Sequence, residues 1–274
     1  MSVVKLTEPI VSFFRPPVVE VVAGLSLSDP APEFSVVLGS FWKDRLRGKF
    51  PLLQQQPPYS PPQESFREFE GRGDIHFQFG AQFPTPRLWA TTEDGSELIQ
   101  LQAEWFARNW RKVTPDGEYD RWATRREALS DSYAQLSDYL EREGFSTPGI
   151  GQCEVSYINH IDLTDLGLDH GSLSRVVKIS EGELDPFPLE QVTLQLAFAI
   201  RDEEPLGRLH FAVKPALNST GKPIYIIELT ARSVPGEFTL ESALAFLDRG
   251  RHAINSAFVA LTTAEMHETW GRDK

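Results

Sequence analysis

The chain has 274 residues, a formal charge of -12, and 41% hydrophobic residues that include 18 Phe and 6 Trp. That is enough apolar bulk for one large domain or two ordinary ones, which excludes global disorder, and the acidic balance opposes nucleic acid or anionic lipid as a partner. The single cysteine, Cys153, excludes an internal disulfide and fits a reducing compartment; with no apolar run near ~20 residues and no secretory pattern in Met1 to Phe14, a cytoplasmic protein with no membrane partner is expected.

Val19, Val21, Ala23, Leu25 and Leu27 alternate with residues that turn polar, which predicts a strand with one buried face. Asp29 to Glu33 has the chemistry of a helix start, and Phe34, Leu38 and Phe41 follow at helical spacing. Gln54 to Gln63 holds four prolines and three consecutive glutamines and reads as an exposed linker, with a docking segment as the other reading. Ile75, Phe77 and Phe79 predict a further strand, and Asp94-Gly95 marks a hairpin between Arg87 to Thr92 and Glu97 to Phe106. In the second hairpin strand, Ile99, Leu101, Ala103 and Trp105 are expected on one face.

A long helix is predicted from Asp120 to Arg142, with an apolar stripe at Trp122, Leu129, Tyr133, Leu136 and Leu140 that only Arg126 interrupts. Cys153 to Ile161 alternates as a strand. A short strand is expected near Val176, then strands over Val192 to Ile200, Leu209 to Val213 and Tyr225 to Leu229. Thr239 is a good N-cap for a last helix through Leu261, and Trp270 near the chain end is expected to dock on its own domain. The fold class expected is α+β in two similar halves, 1–148 and 149–274, each an antiparallel sheet under a long amphipathic helix. The halves would pack as one unit by internal duplication, in a TATA-binding-protein-like or helix-grip-like shape.

Pro17-Val18-Val19-Glu20, Leu101-Gln102 through Asn109-Trp110, Tyr157-Ile158-Asn159-His160 and a terminal helix with Phe258, Leu261-Thr262 and Glu265 together resemble a sporadically distributed bacterial family of about this length, whose members have no assigned activity. The resemblance covers almost the whole chain. It implies a bacterial, cytoplasmic protein, and its patchy distribution is compatible with mobile-element or defence genes. It carries over no reaction, cofactor or catalytic residue.

No phosphate-binding glycine loop, metal-binding histidine or cysteine spacing, or nucleophile elbow is present, so no cofactor or metal is expected. His160, Asp162, Asp165, Asp169 and His170 cluster in sequence, but without the spacing of a calcium loop. Two candidate surfaces remain. Trp105, Arg108, Asn109, Trp110 and Arg111 have the composition of a recognition patch, or simply anchor a strand exit. Arg208 and His210 share a face of one strand and Glu228 and Arg232 a face of another; if those faces coincide, His210 and Glu228 form an acid-base pair beside two anion-gripping arginines, and otherwise they belong to a wet sheet face with cross-strand charge pairs. The first surface points to a non-enzymatic, regulatory, protein-binding role with a protein partner, and a homodimer is the other place at which Trp270 could dock. The second points to an enzyme or sensor for an anionic small molecule.

Overall fold

The alternation around Val21, Ala23 and Leu25 makes the strand on which the molecule is built, β1 (Val18–Ser28). The computed structural model describes residues 10–30, 34–66, 86–114, 117, 119, 121–179 and 189–272. Among the described residues the chain continues with α1 (Phe34–Phe41), a π-helical turn (Trp42–Leu46), β2 (Leu52–Gln56), β3 (Arg87–Thr91), β4 (Glu97–Gln102) and β5 (Trp105–Arg111). Then come α2 (Trp122–Arg142), β6 (Gly149–Asp162), α3 (Leu173–Val176), β7 (Leu194–Arg201), β8 (Pro205–Leu217), β9 (Pro223–Ser233), α4 (Leu240–Leu261) and α5 (Ala264–Trp270). The strand expected at Ile75 to Phe79 lies outside the described residues.

These strands form one antiparallel sheet in the order β2-β3-β4-β5-β1-β6-β9-β8-β7. The expected pair of sheets, each under its own helix, is therefore corrected to a single nine-stranded sheet. The cause is β1, which pairs antiparallel with β5 along one edge and with β6 along the other. Its backbone groups on both edges are used, so the sheet runs unbroken through the junction of the two sequence halves.

Paired residues share a face, so the register sorts the side chains. Val21, Ala23 and Leu25 lie on the same side as Trp110, Arg108 and Phe106 of β5 and Tyr157, Val155 and Cys153 of β6. This side carries the helices. α4 rests directly on β6 and β9: a Cβ added at Gly250 would stand 2.9 Å from Ala231 Cβ and 3.0 Å from Val155 Cγ1. α2 buries Leu129, Tyr133, Leu136 and Leu140, each leucine worth roughly 1.5–3 kcal/mol in removing apolar surface from water. Arg126, the break in its stripe, ties the two helices together: its Nε donates to Asp248 Oδ2 at 2.9 Å, beside Trp122 Nε1 donating to Asp248 Oδ1 at 2.6 Å.

Thr239 caps α4 as expected, its Oγ1 accepting from Ser242 N at 3.1 Å, and Trp270 is buried with its ring stacked 5.1 Å from Phe258. Two local expectations change. The stretch 97–106 is not one strand: a tight turn at Ala103-Glu104 ends β4 and starts β5, and pairs Gln102 with Trp105. Near Val176 the chain forms the short helix α3, with only one bridge, Val177 to Thr262. Among the described residues no helix is long and apolar enough to cross a membrane.

Candidate functional site

The other side of the sheet bears no helix among the described residues. On β6, β9 and β8 it carries Glu154, Arg232 and Arg208, with Arg232 cross-strand to both of the others. His210 follows Arg208 two positions on, opposite Thr230. Two arginines facing each other across strands repel, and the arrangement needs carboxylates to hold it. Glu154 Oε2 accepts from Arg232 Nε at 2.6 Å. The second carboxylate belongs to Glu64. Its Oε2 accepts from Arg208 Nη1 at 2.7 Å, and its Oε1 lies 3.0 Å from Arg232 Nη1 and 2.5 Å from His210 Nε2.

Glu64 arrives on a strap. After β2 the chain leaves the sheet edge and runs through residues 57–66 across the open face, without regular secondary structure. Pro57, Pro58, Pro61 and Pro62 have no amide hydrogen, so the strap cannot join a normal ladder. Two glutamine side chains take the place of backbone rungs, each donating and accepting. Gln102 Oε1 accepts from Tyr59 N at 2.8 Å while its Nε2 donates to Tyr59 O at 2.7 Å. Gln152 Nε2 donates to Pro62 O at 2.9 Å and its Oε1 accepts from Glu64 N at 3.2 Å. The Tyr59 ring meets Trp105 edge-on at 5.0 Å, and the Arg208 guanidinium lies 4.4 Å over the Phe66 ring. The expected exposed linker is thus half strand, at β2, and half strap.

Burial by itself would raise the Glu64 carboxyl, but the hydrogen bonds and charges of His210 and Arg232 outweigh it and hold it below the ordinary carboxylate range. Glu154 goes the other way: burial pushes it up against the pull of Arg232. The same cluster holds one carboxylate that stays ionised and one that is costly to ionise, separated by a single guanidinium.

The structure separates the other predicted residues. His210 meets Glu64, not Glu228, whose cross-strand neighbours are Ala212 and Ile158. Arg208 and Arg232 do converge on one carboxylate, although it is the chain's own. The Trp105 to Arg111 stretch is split by strand parity: Trp105, Asn109 and Arg111 face the open side, Arg108 and Trp110 the helix side. Four of the five are buried, at 2% exposure for Trp105, 6% for Arg108, 3% for Asn109 and 6% for Trp110, so they do not form one surface for a partner. Asn109 instead sits in a polar chain in which Arg87 donates to Gln100, Gln100 to Asn109, and both Asn109 and Arg111 to Glu20. Arg108 pairs with Glu97 at 2.6 Å and stacks over Phe50 at 4.8 Å.

Cys153 is on the helix side, its thiol pushed up to about 12 by burial, which leaves it inert as a nucleophile. Asp162 and Asp169 cap turns through Thr164 N and Gly171 N, and no group of three or more metal-ligating side chains occurs among the described residues. Glu64 is the site residue that sequence reasoning missed. Its only signal is that it is a lone acid at the end of a proline- and glutamine-rich run. No protein-family description and no curated protein matches the chain.

Proposed function

We propose that this protein is a non-catalytic binding protein that takes up an acidic segment of a partner protein on the open face of its sheet, at Arg208, His210 and Arg232. The observation that carries this reading is the strap: an extended, proline-rich peptide already lies across these residues and gives one carboxylate to all three. Arg232 is buried beneath the strap and Arg208 half-buried, so desolvating the charges offsets much of their attraction and the pairs add little net stability. What the arrangement does supply is selectivity for a carboxylate. Glu64 keeps the site satisfied until a better-placed acidic segment displaces it. Recognition is favoured over catalysis because the imidazole is committed to Glu64 and the one thiol lies on the opposite side of the sheet.

The test is a labelled synthetic peptide with the sequence of residues 57–66. Protein carrying Glu64→Ala should bind it in a fluorescence-anisotropy titration. The unaltered protein should bind it more weakly, because its own strap competes. Adding Arg208→Met to Glu64→Ala should abolish binding. A peptide with glutamine in place of the glutamate serves as control, and binding indifferent to that carboxylate or to Arg208 overturns the proposal.

A further inference from the structure

On the helix side of the sheet, between residues 10–17, the start of α2 and α4, there is a cleft of about 1190 Å³, somewhat above the roughly 300–1,000 Å³ of ordinary small-molecule sites. Its floor is sheet, made of Trp110, Tyr157, Asn159 and Leu229, and α4 forms a wall with Arg251, Ile254 and Phe258. Residues 10–17 form the rim and are fastened to α4: Val11 N donates to Asn255 Oδ1 at 3.0 Å and accepts at its carbonyl from Asn255 Nδ2 at 2.9 Å. Opposite, Tyr119 brings its hydroxyl to 2.9 Å from that of Tyr157 and its ring to 5.1 Å from Trp110.

The charge in this cleft runs against that of the chain. Acidic residues outnumber basic ones by 39 to 27 overall, yet among the described lining residues there is no Asp or Glu, while Arg15, Lys112, Arg121 and Arg251 are present. Lys112 and Arg121 flank a stretch whose sequence also holds Asp116, Glu118 and Asp120, and Arg15 is exposed and donates to Thr269 O, so Arg251 is the cation that distinguishes the site. It is half-buried in the helix wall, near enough for its charge to act on the Tyr157 hydroxyl, and no carboxylate is within ion-pair distance of it among the described residues. Burial raises both tyrosines, so their hydroxyls stay protonated at neutral pH and one remains available to donate. One guanidinium and a hydroxyl pair supply a single positive charge with a few donors, which matches a monoanion better than a doubly charged phosphate.

We propose that this cleft binds a small carboxylate with an apolar body, the head group held by Arg251 and the Tyr119–Tyr157 hydroxyls and the body lying against Ile254, Phe258 and Leu229. The site is separate from the strap, on the other face of the sheet, and either proposal can fail without the other.

The probe is anilinonaphthalenesulfonate, a fluorescent apolar monoanion, displaced by decanoate or by naphthoate. Binding should saturate at one site, and both acids should compete where decanol does not; the stronger competitor tells a chain-like body from a flat one. Arg251→Met, which keeps the apolar stem, should weaken binding by about tenfold or more, as loss of a charged hydrogen bond predicts. Arg251→Lys should retain part of it, and Arg249→Met, at an exposed arginine of the same helix that faces Asp202, should leave it unchanged. Thermal unfolding of each variant confirms that it is folded, and Arg251→Lys carries the test if Arg251→Met is not. Equal competition by decanol, or binding indifferent to the charge at position 251, overturns the proposal.

Discussion

Gly24 offers a sharp test of how the open face is packed. A Cβ built on it would lie 2.1 Å from Trp105 Cη2 and 2.4 Å from Cζ2, so the indole crosses directly over the glycine of the neighbouring strand. Ordinary contact begins at 3.4 Å, and Gly24→Ala therefore requires the ring to move by more than about 1 Å in a site where steric overpacking typically costs ~1–3 kcal/mol. Trp105 has little room to move, being 2% exposed with Tyr59 against its face. Removing a glycine from the unfolded chain returns ~0.4–1 kcal/mol. The net expectation is a loss of about 1–2 kcal/mol, read as a lower urea midpoint with an unchanged slope. Because Tyr59 rides on Trp105, the same variant should speed chymotryptic cleavage in the strap. Adding Trp105→Leu removes the clash, so the double variant should be less destabilised than the two single losses combined. A Gly24→Ala protein as stable as the original, or strictly additive losses in the double variant, would refute the packing described.

Two further outcomes follow from titratable groups. Glu64 is depressed in the folded state, so its contribution is fully present above the ordinary carboxylate value of about 4.3 and disappears as pH falls through its lower folded value. The stability gap between the protein and Glu64→Gln should close as the solution is acidified below about pH 4, with strap proteolysis rising in parallel; a gap that persists undiminished in acid would contradict the ion pairs. Cys153, with its thiol raised to about 12 by burial, should resist iodoacetamide at mildly alkaline pH and react once urea unfolds the chain. Fast alkylation of the folded protein would show that the thiol is open to solvent.

Much of the local structure is set by the sequence itself. Period-two alternation at Val21 to Leu25 and at Cys153 to Ile161 commits those residues to half-buried strands, and the stripe from Trp122 to Leu140 commits that stretch to a helix. Turn chemistry does the same at Asp94-Gly95 and at Asn218 to Gly221, where both glycines take positive φ. Such signals are local: a face, a cap or a turn is decided within one or two helical turns or strand repeats. The placement of Arg208 and His210 on one face was legible for that reason.

What joins distant stretches was not legible. Nothing in the composition of β1 says that both its edges are paired, and that choice turns two expected sheets into one. The two-residue turn at Ala103-Glu104 reverses the chain inside an apparently continuous alternation, and so moves Trp105 from one face to the other, because a change of register in a period-two pattern flips every side chain after it. Glu64 stands 144 residues from Arg208 and 168 from Arg232 along the chain. Strand parity put Arg208 beside His210; the β8–β9 register brought Arg232 to them, and only the tertiary path of the strap determined which carboxylate they hold.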